Sequence, residues 1–104
     1  MIVPALVLPE VAGAVGRKTR DEALARRFAS TLQRFPHLML IPLDVRLAER
    51  AADLAARHLL RGSDAVYVAV AAQFGVTLVT LDDEQRRRGT KVVPTRRPGE
   101  VKPA

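Results

Sequence analysis

Three acidic residues stand where an acid has no obvious packing role. They are Glu10 among Val7, Leu8 and Val11, Asp64 at the head of a run of small and β-branched residues, and Asp82 directly after Thr77-Leu78-Val79-Thr80-Leu81. Carboxylates gathered without balancing cations repel one another and lose hydration, so such a cluster usually holds a hard divalent cation through oxygen ligands. Mg²⁺ or Mn²⁺ is the expected ion. With water in its open positions, that ion lowers the pKa of the water and stabilises a pentacoordinate phosphate. The chain carries seventeen Lys and Arg against eleven Asp and Glu, a net charge of +6, and a basic surface attracts polyanions. The combination points to phosphodiester hydrolysis. Each acid also has a plainer reading: Asp64 as a helix cap or dipole partner, Asp82 as the cap of a short following helix, and Glu10 as an exposed first-turn residue beside Pro9.

Other chemistries find no support. The absence of cysteine excludes disulfide scaffolds, zinc fingers and thiol catalysis. His37 and His58 lack ligand spacing, Ser30 and Ser63 have no partnered histidine, and no glycine-rich phosphate loop is present. Asp21, Glu22 and Asp44 read as caps, and Glu49 and Asp53 as part of a solvated helix face with Arg46, Arg50 and Arg57. Asp83 and Glu84 are candidate outer ligands. Arg86, Arg87 and Arg88 follow Asp82 closely and could hold an RNA backbone near the metal, or simply form a solvated face; Arg17, Lys18 and Arg20 carry the same two readings. Fourteen of the seventeen basic residues are arginine, which fits guanidinium recognition of phosphate but equally a coding bias.

The elements that must position these residues alternate between strand-length apolar runs and longer stretches of helical period, an α/β order. Ile2-Val3 reads as a strand stub, followed by a small-residue helix over about 5–17 that looks buried on most sides. Thr19-Arg20-Asp21-Glu22 has capping-box spacing before a second helix to about Phe35. Leu38 to Leu43 is a continuous apolar run of the kind found in covered parallel strands. Asp44 caps a third helix that Gly62 is expected to end, and a fourth helix runs from Ala65 to Phe74 with Gly75 as its left-handed cap. The strand Thr77 to Leu81, a short helix over 83–88 and an edge strand at Lys91-Val92-Val93 complete the domain, 1–94, before a Pro- and Arg-rich tail, 95–104. Asp82 then lies at a strand's carboxyl end, where open α/β sheets place their ligands. A helix feeding a parallel strand starts at that same edge, so Asp64 is its expected neighbour, and a parallel Ile2-Val3 strand would deliver Glu10 there too. No apolar run approaches the roughly 18 residues of a membrane span, and the first eight residues lack the basic region of a signal peptide, so a cytoplasmic location is expected.

Arg61-Gly62-Ser63-Asp64-Ala65-Val66-Tyr67-Val68-Ala69-Val70-Ala71, followed by Gly75-Val76-Thr77-Leu78-Val79-Thr80-Leu81-Asp82, resembles the C-terminal half of a PIN domain, especially the VapC toxin type. Val3 to Val11 is similar to the family's second strand and glutamate-bearing helix. The resemblance implies a PIN-like parallel sheet of about four short strands with helices on both faces. It also implies a Mg²⁺- or Mn²⁺-dependent endoribonuclease, often a homodimer, restrained by a cognate antitoxin protein. Glu10 matches the family's helix acid, Asp64 its third acid and Asp82 its strand-end acid. The family's first strand, which bears an Asp and lies centrally in the sheet, has no counterpart here. Either Met1 is an internal start of a longer natural protein or the chain is a degenerate member. The second expectation is therefore a catalytically silent PIN-like module that contacts an antitoxin or a second copy of itself.

Overall fold

The computed structural model describes residues 1–79, 87–90 and 92–97. In order, these form β1 (Ile2–Pro4), α1 (Val7–Thr19), α2 (Glu22–Gln33), β2 (Met39–Ile41), α3 (Val45–His58), α4 (Gly62–Phe74), β3 (Leu78–Val79) and β4 (Thr95–Arg96). The strands pair in parallel as β1 with β2 and β3 with β4, the mixed α/β class the sequence pattern implies. The chain divides into two units, Met1–Pro42 and Leu43–Ala104.

In the first unit Ile2 stands opposite Met39, Val3 opposite Leu40 and Pro4 opposite Ile41. The Met39 N–H donates to the Met1 carbonyl and the Ala5 N–H to the Ile41 carbonyl, both at 2.7 Å, so alternate residues of β1 turn their backbone toward β2. Pro4 falls between them. Its missing N–H therefore costs the ladder nothing, and its ring is fully buried. The crossover between the strands is the α1–α2 hairpin. Pro9 lies in the first turn of α1, where helix N–H groups have no intrahelical partner. No residue of α1 is buried, contrary to the expectation of a helix covered on most sides, because its alanines and glycines pack mainly on α2. A Cβ on Gly16 would sit 3.8 Å from the Ala25 Cβ, an ordinary contact, and Ala25 is the one buried residue of α2.

Thr19 does not cap α2. Its hydroxyl donates to the Val15 carbonyl at 2.7 Å and accepts from the Asp21 N–H at 3.2 Å, closing α1, while the Asp21 carboxylate accepts from the Leu24 N–H at 3.0 Å as the N-cap of α2. Asp can accept more strongly than a hydroxyl, and with Arg20 in the left-handed region (φ 55°) the turn leaves Asp21 in the extended conformation a cap requires.

In the second unit Asp44 caps α3 as expected, accepting from the Leu47 N–H at 2.8 Å. Leu47 and Ala51 are buried from α3, which packs on α4. Six of the thirteen residues of α4 are buried: Ala65, Val66, Val68, Ala69, Val70 and Ala71. Only half-buried Tyr67 interrupts the run from Ala65 to Ala71, so the stretch is covered nearly all round and α4 owes its place to burial rather than amphipathicity. Gly75 (φ 63°) ends it, with the Val76 N–H donating to the Ala71 carbonyl at 3.0 Å.

Two boundaries differ from the sequence expectation. Leu59, not Gly62, ends α3: it takes the left-handed conformation (φ 57°) and its N–H bonds the Ala55 carbonyl, while Gly62 is the first residue of α4. Among the described residues, which leave out Lys91, the last strand is β4 at Thr95–Arg96, and Val92 and Val93 fold into a turn closed on the Gly89 carbonyl, each bond 2.9 Å. Thr95 is buried, its hydroxyl donating to the Val93 carbonyl. The short helix expected over 83–88 lies largely outside the described residues, with 87–89 helical.

Leu59 is strained and 69% exposed, so Leu59→Gly relieves a left-handed side chain while giving up little burial. Urea denaturation should show a gain of about 0.5–1 kcal/mol. By the same measurement Asp44→Ala should lose about 1 kcal/mol, and Val68→Ala, at a fully buried site, about 2–3 kcal/mol.

Candidate active site

Glu10 is in the first turn of α1 and exposed; Asp64 is in the first turn of α4 and half-buried. Both helices begin for local reasons. Ala5 and Leu6 start α1 by accepting from the Leu8 and Glu10 N–H groups at 3.1 and 3.3 Å, and extended Arg61 starts α4 by accepting from the Ala65 N–H at 2.9 Å. Neither helix has a side-chain cap, so a carboxylate in the first turn meets the positive end of the helix dipole.

Gly62 and Ser63 precede Asp64 in the first turn of α4. A Cβ on Gly62 would meet nothing within 4 Å, and its φ lies outside the left-handed region. Neither packing nor backbone demands glycine there. The effect of the glycine is to leave the approach to the first turn of α4 bare.

Asp82 and Arg86 lie outside the described residues, as do Asp83 and Glu84. The carboxylate pair expected between Asp64 and Asp82 therefore falls outside them too. Among the described residues no group of three or more His, Cys, Asp or Glu side chains comes together. Glu10 in the first unit and Asp64 in the second each offer carboxylate oxygens, and the chain has no thiolate. Oxygen donors of this kind are hard ligands, suited to hard divalent ions in general.

The candidate RNA-contacting arginines occupy distinct settings. Arg87 is exposed, whereas Arg88 is half-buried and its Nη1 donates to the carbonyl of Leu59, satisfying an end of α3 and its dipole. Arg17 and Lys18 are exposed in the last turn of α1. Beside them the α1–α2 pair leaves an open groove of about 670 Å³ whose floor is Gly13, Gly16 and Ala25 and whose rim is Arg20, Glu22 and Arg26. The sequence reading did not find this groove. Its signal was present in the two glycines three residues apart on one helical face, with Arg17 and Arg20 a turn beyond.

Among the described residues no helix is long and apolar enough to cross a membrane. The family model of the PIN domain matches residues 1–91. No curated protein and no solved structure matches the chain significantly. PIN domains are in general divalent-metal-dependent nucleases, and the match takes in the first unit, the second as far as residue 91, and all three acids singled out from the sequence. On that match the chain belongs to the PIN domain family.

Proposed function

We propose that this chain is a Mg²⁺- or Mn²⁺-dependent endoribonuclease of the VapC toxin type, in which Glu10, Asp64 and Asp82 hold the metal. The observation that carries the reading is the family match over residues 1–91. It is supported by the first-turn positions of Glu10 and Asp64 and by the all-oxygen character of the available donors. A bound divalent ion would supply Lewis-acid activation of water and stabilisation of charge on the phosphate. The chain's own part is to hold that ion through ionised carboxylates, to admit the phosphodiester beside bare Gly62, and to balance phosphate charge with Arg17, Lys18, Arg86, Arg87 and Arg88. A cognate antitoxin protein, a homodimer and a cytoplasmic setting belong to the same proposal.

The test is cleavage of a mixed structured RNA by the purified chain with Mg²⁺ or Mn²⁺, and with EDTA. Metal-dependent cleavage should be abolished by EDTA. Loss of an outer-shell partner alone commonly costs about 10–100-fold, so Asp64→Asn and Glu10→Gln should each lower the rate by about 100-fold or more. Mn²⁺ should also raise the Tm of the wild-type chain, by the ligand-linkage relation, and raise that of Asp64→Asn less. Cleavage unchanged by Asp64→Asn would overturn the assignment. A well-folded chain that neither cleaves RNA nor gains Tm from Mn²⁺ would instead be a silent PIN-like interaction module.

Gly62→Ala separates access from stability. With open space at the Cβ position it should keep or raise Tm while lowering the cleavage rate several-fold. Unchanged cleavage would remove Gly62 from the proposal.

A further inference from the structure

We infer that the groove between α1 and α2 is a binding track for the sugar-phosphate backbone of the RNA substrate, held by Arg17, Arg20 and Arg26; this rests on the nuclease reading above.

The groove is built from two features that reinforce one another. Its floor is backbone and methyl groups at Gly13, Gly16 and Ala25, so a ligand chain can approach closely. Its edge is basic. Five basic residues stand against two acids between Arg17 and Arg27, and both acids are engaged: Asp21 accepts from the Leu24 N–H, and Glu22 pairs with Arg26 at 2.6 Å. That ion pair is 78% exposed at both side chains, so it is held weakly and leaves further guanidinium donors for phosphate oxygens.

Arg17 stands beside the groove, next to Gly13. Its Nη1 lies 3.1 Å from where a Cβ on residue 13 would stand, so the exposed guanidinium passes over the bare backbone of the glycine. Glu10, Gly13 and Arg17 recur at helical spacing along one face of α1. Arg17 is seven residues beyond Glu10, about 10.5 Å along the axis. The same helix thus carries a proposed metal ligand at one end and phosphate donors at the other.

No aromatic side chain lines the groove, so it has no platform on which bases could stack. What remains is contact with the backbone, which positions a strand without reading its sequence. A protein segment with acidic side chains would match the charge as well. The nucleic acid substrate implied by the family favours RNA.

The test is fluorescence anisotropy with labelled 20-nucleotide oligouridylate and oligoadenylate in EDTA, where the nuclease reading allows no cleavage. The groove variant Arg17→Gln/Arg20→Gln/Arg26→Gln is compared with Arg46→Gln/Arg50→Gln/Arg57→Gln, which removes the same charge from exposed positions of α3. Circular dichroism confirms that both fold. The groove variant should raise Kd at least about ten-fold, equally for both oligonucleotides, and reduce the salt slope by about 2 for three lost phosphate contacts. The α3 variant should change Kd less than about three-fold.

Equal losses in the two variants would mean diffuse charge and would overturn the inference, as would groove-variant binding equal to wild type, or a wild-type chain that binds neither oligonucleotide. Retained RNA affinity with lost affinity for an oligoglutamate peptide would reassign the groove to an acidic protein segment. Failure of the nuclease reading looks different: no Mn²⁺-dependent cleavage by the wild type, with the groove-dependent affinities standing. Gly13→Ala gives a second measure. It displaces Arg17 without removing charge, and should raise Kd a few-fold while leaving Tm equal or higher.

Discussion

Strands running in the same direction cannot be joined by a tight turn, and this constraint generates the first unit. Parallel β2 begins at the end where β1 began, so the chain leaving β1 must cross back over the length of the strand before β2 starts. Two helices, α1 of 13 residues and α2 of 12, make up that crossover. Because α1 follows β1 so closely, its first turn, and Glu10 within it, belongs to the carboxyl end of the strand. Because α2 packs on α1, the two helices meet along a seam whose closeness is set by Gly16 and Ala25. The acid, the groove and the basic turn between the helices are thus consequences of one parallel pairing three residues long.

The second unit solves its packing differently. Its organising element is α4, whose stretch from Ala65 to Ala71 is covered nearly all round, with α3 and β3 against the helix. Its one acid stands at its start. Gly62, Ser63 and Asp64 precede the apolar run, which concentrates the helix's chemistry at the one end where backbone N–H groups also lack partners. The charges at the ends of these four helices follow the helix dipole: acids begin α1, α2 and α4, and bases end α1 and α3.

Much of this was legible in the sequence, where a local signal had a single interpretation. Asp44 before the stripe of α3, Gly75 after α4, and the apolar run around Met39–Ile41 each did what their neighbours imply. Misreadings arose where two residues competed for one role. Thr19 and Asp21 both suit an N-cap, and the hydroxyl was better used on the Val15 carbonyl. Leu59 and Gly62 both stand near the end of α3, and the leucine took the left-handed turn although glycine is the residue that favours it, with Arg88 from beyond β3 donating to its carbonyl. That contact spans 29 residues and no local pattern encodes it. At the candidate site the positions of Glu10 and Asp64 within their helices were readable from spacing. The groove was not, since it arises only when α1 and α2 are laid side by side.

Helix α1 buries none of its residues, whereas α4 buries six. Local opening costs little where few apolar contacts are lost, so the amides of α1 belong to the fast-exchanging end of the molecule and those of α4 to the slow end. The helix that carries Glu10, Gly13 and Arg17 is therefore the compliant one. A strand lying along it could tighten its backbone on arrival, and part of the binding free energy would be expended on that ordering.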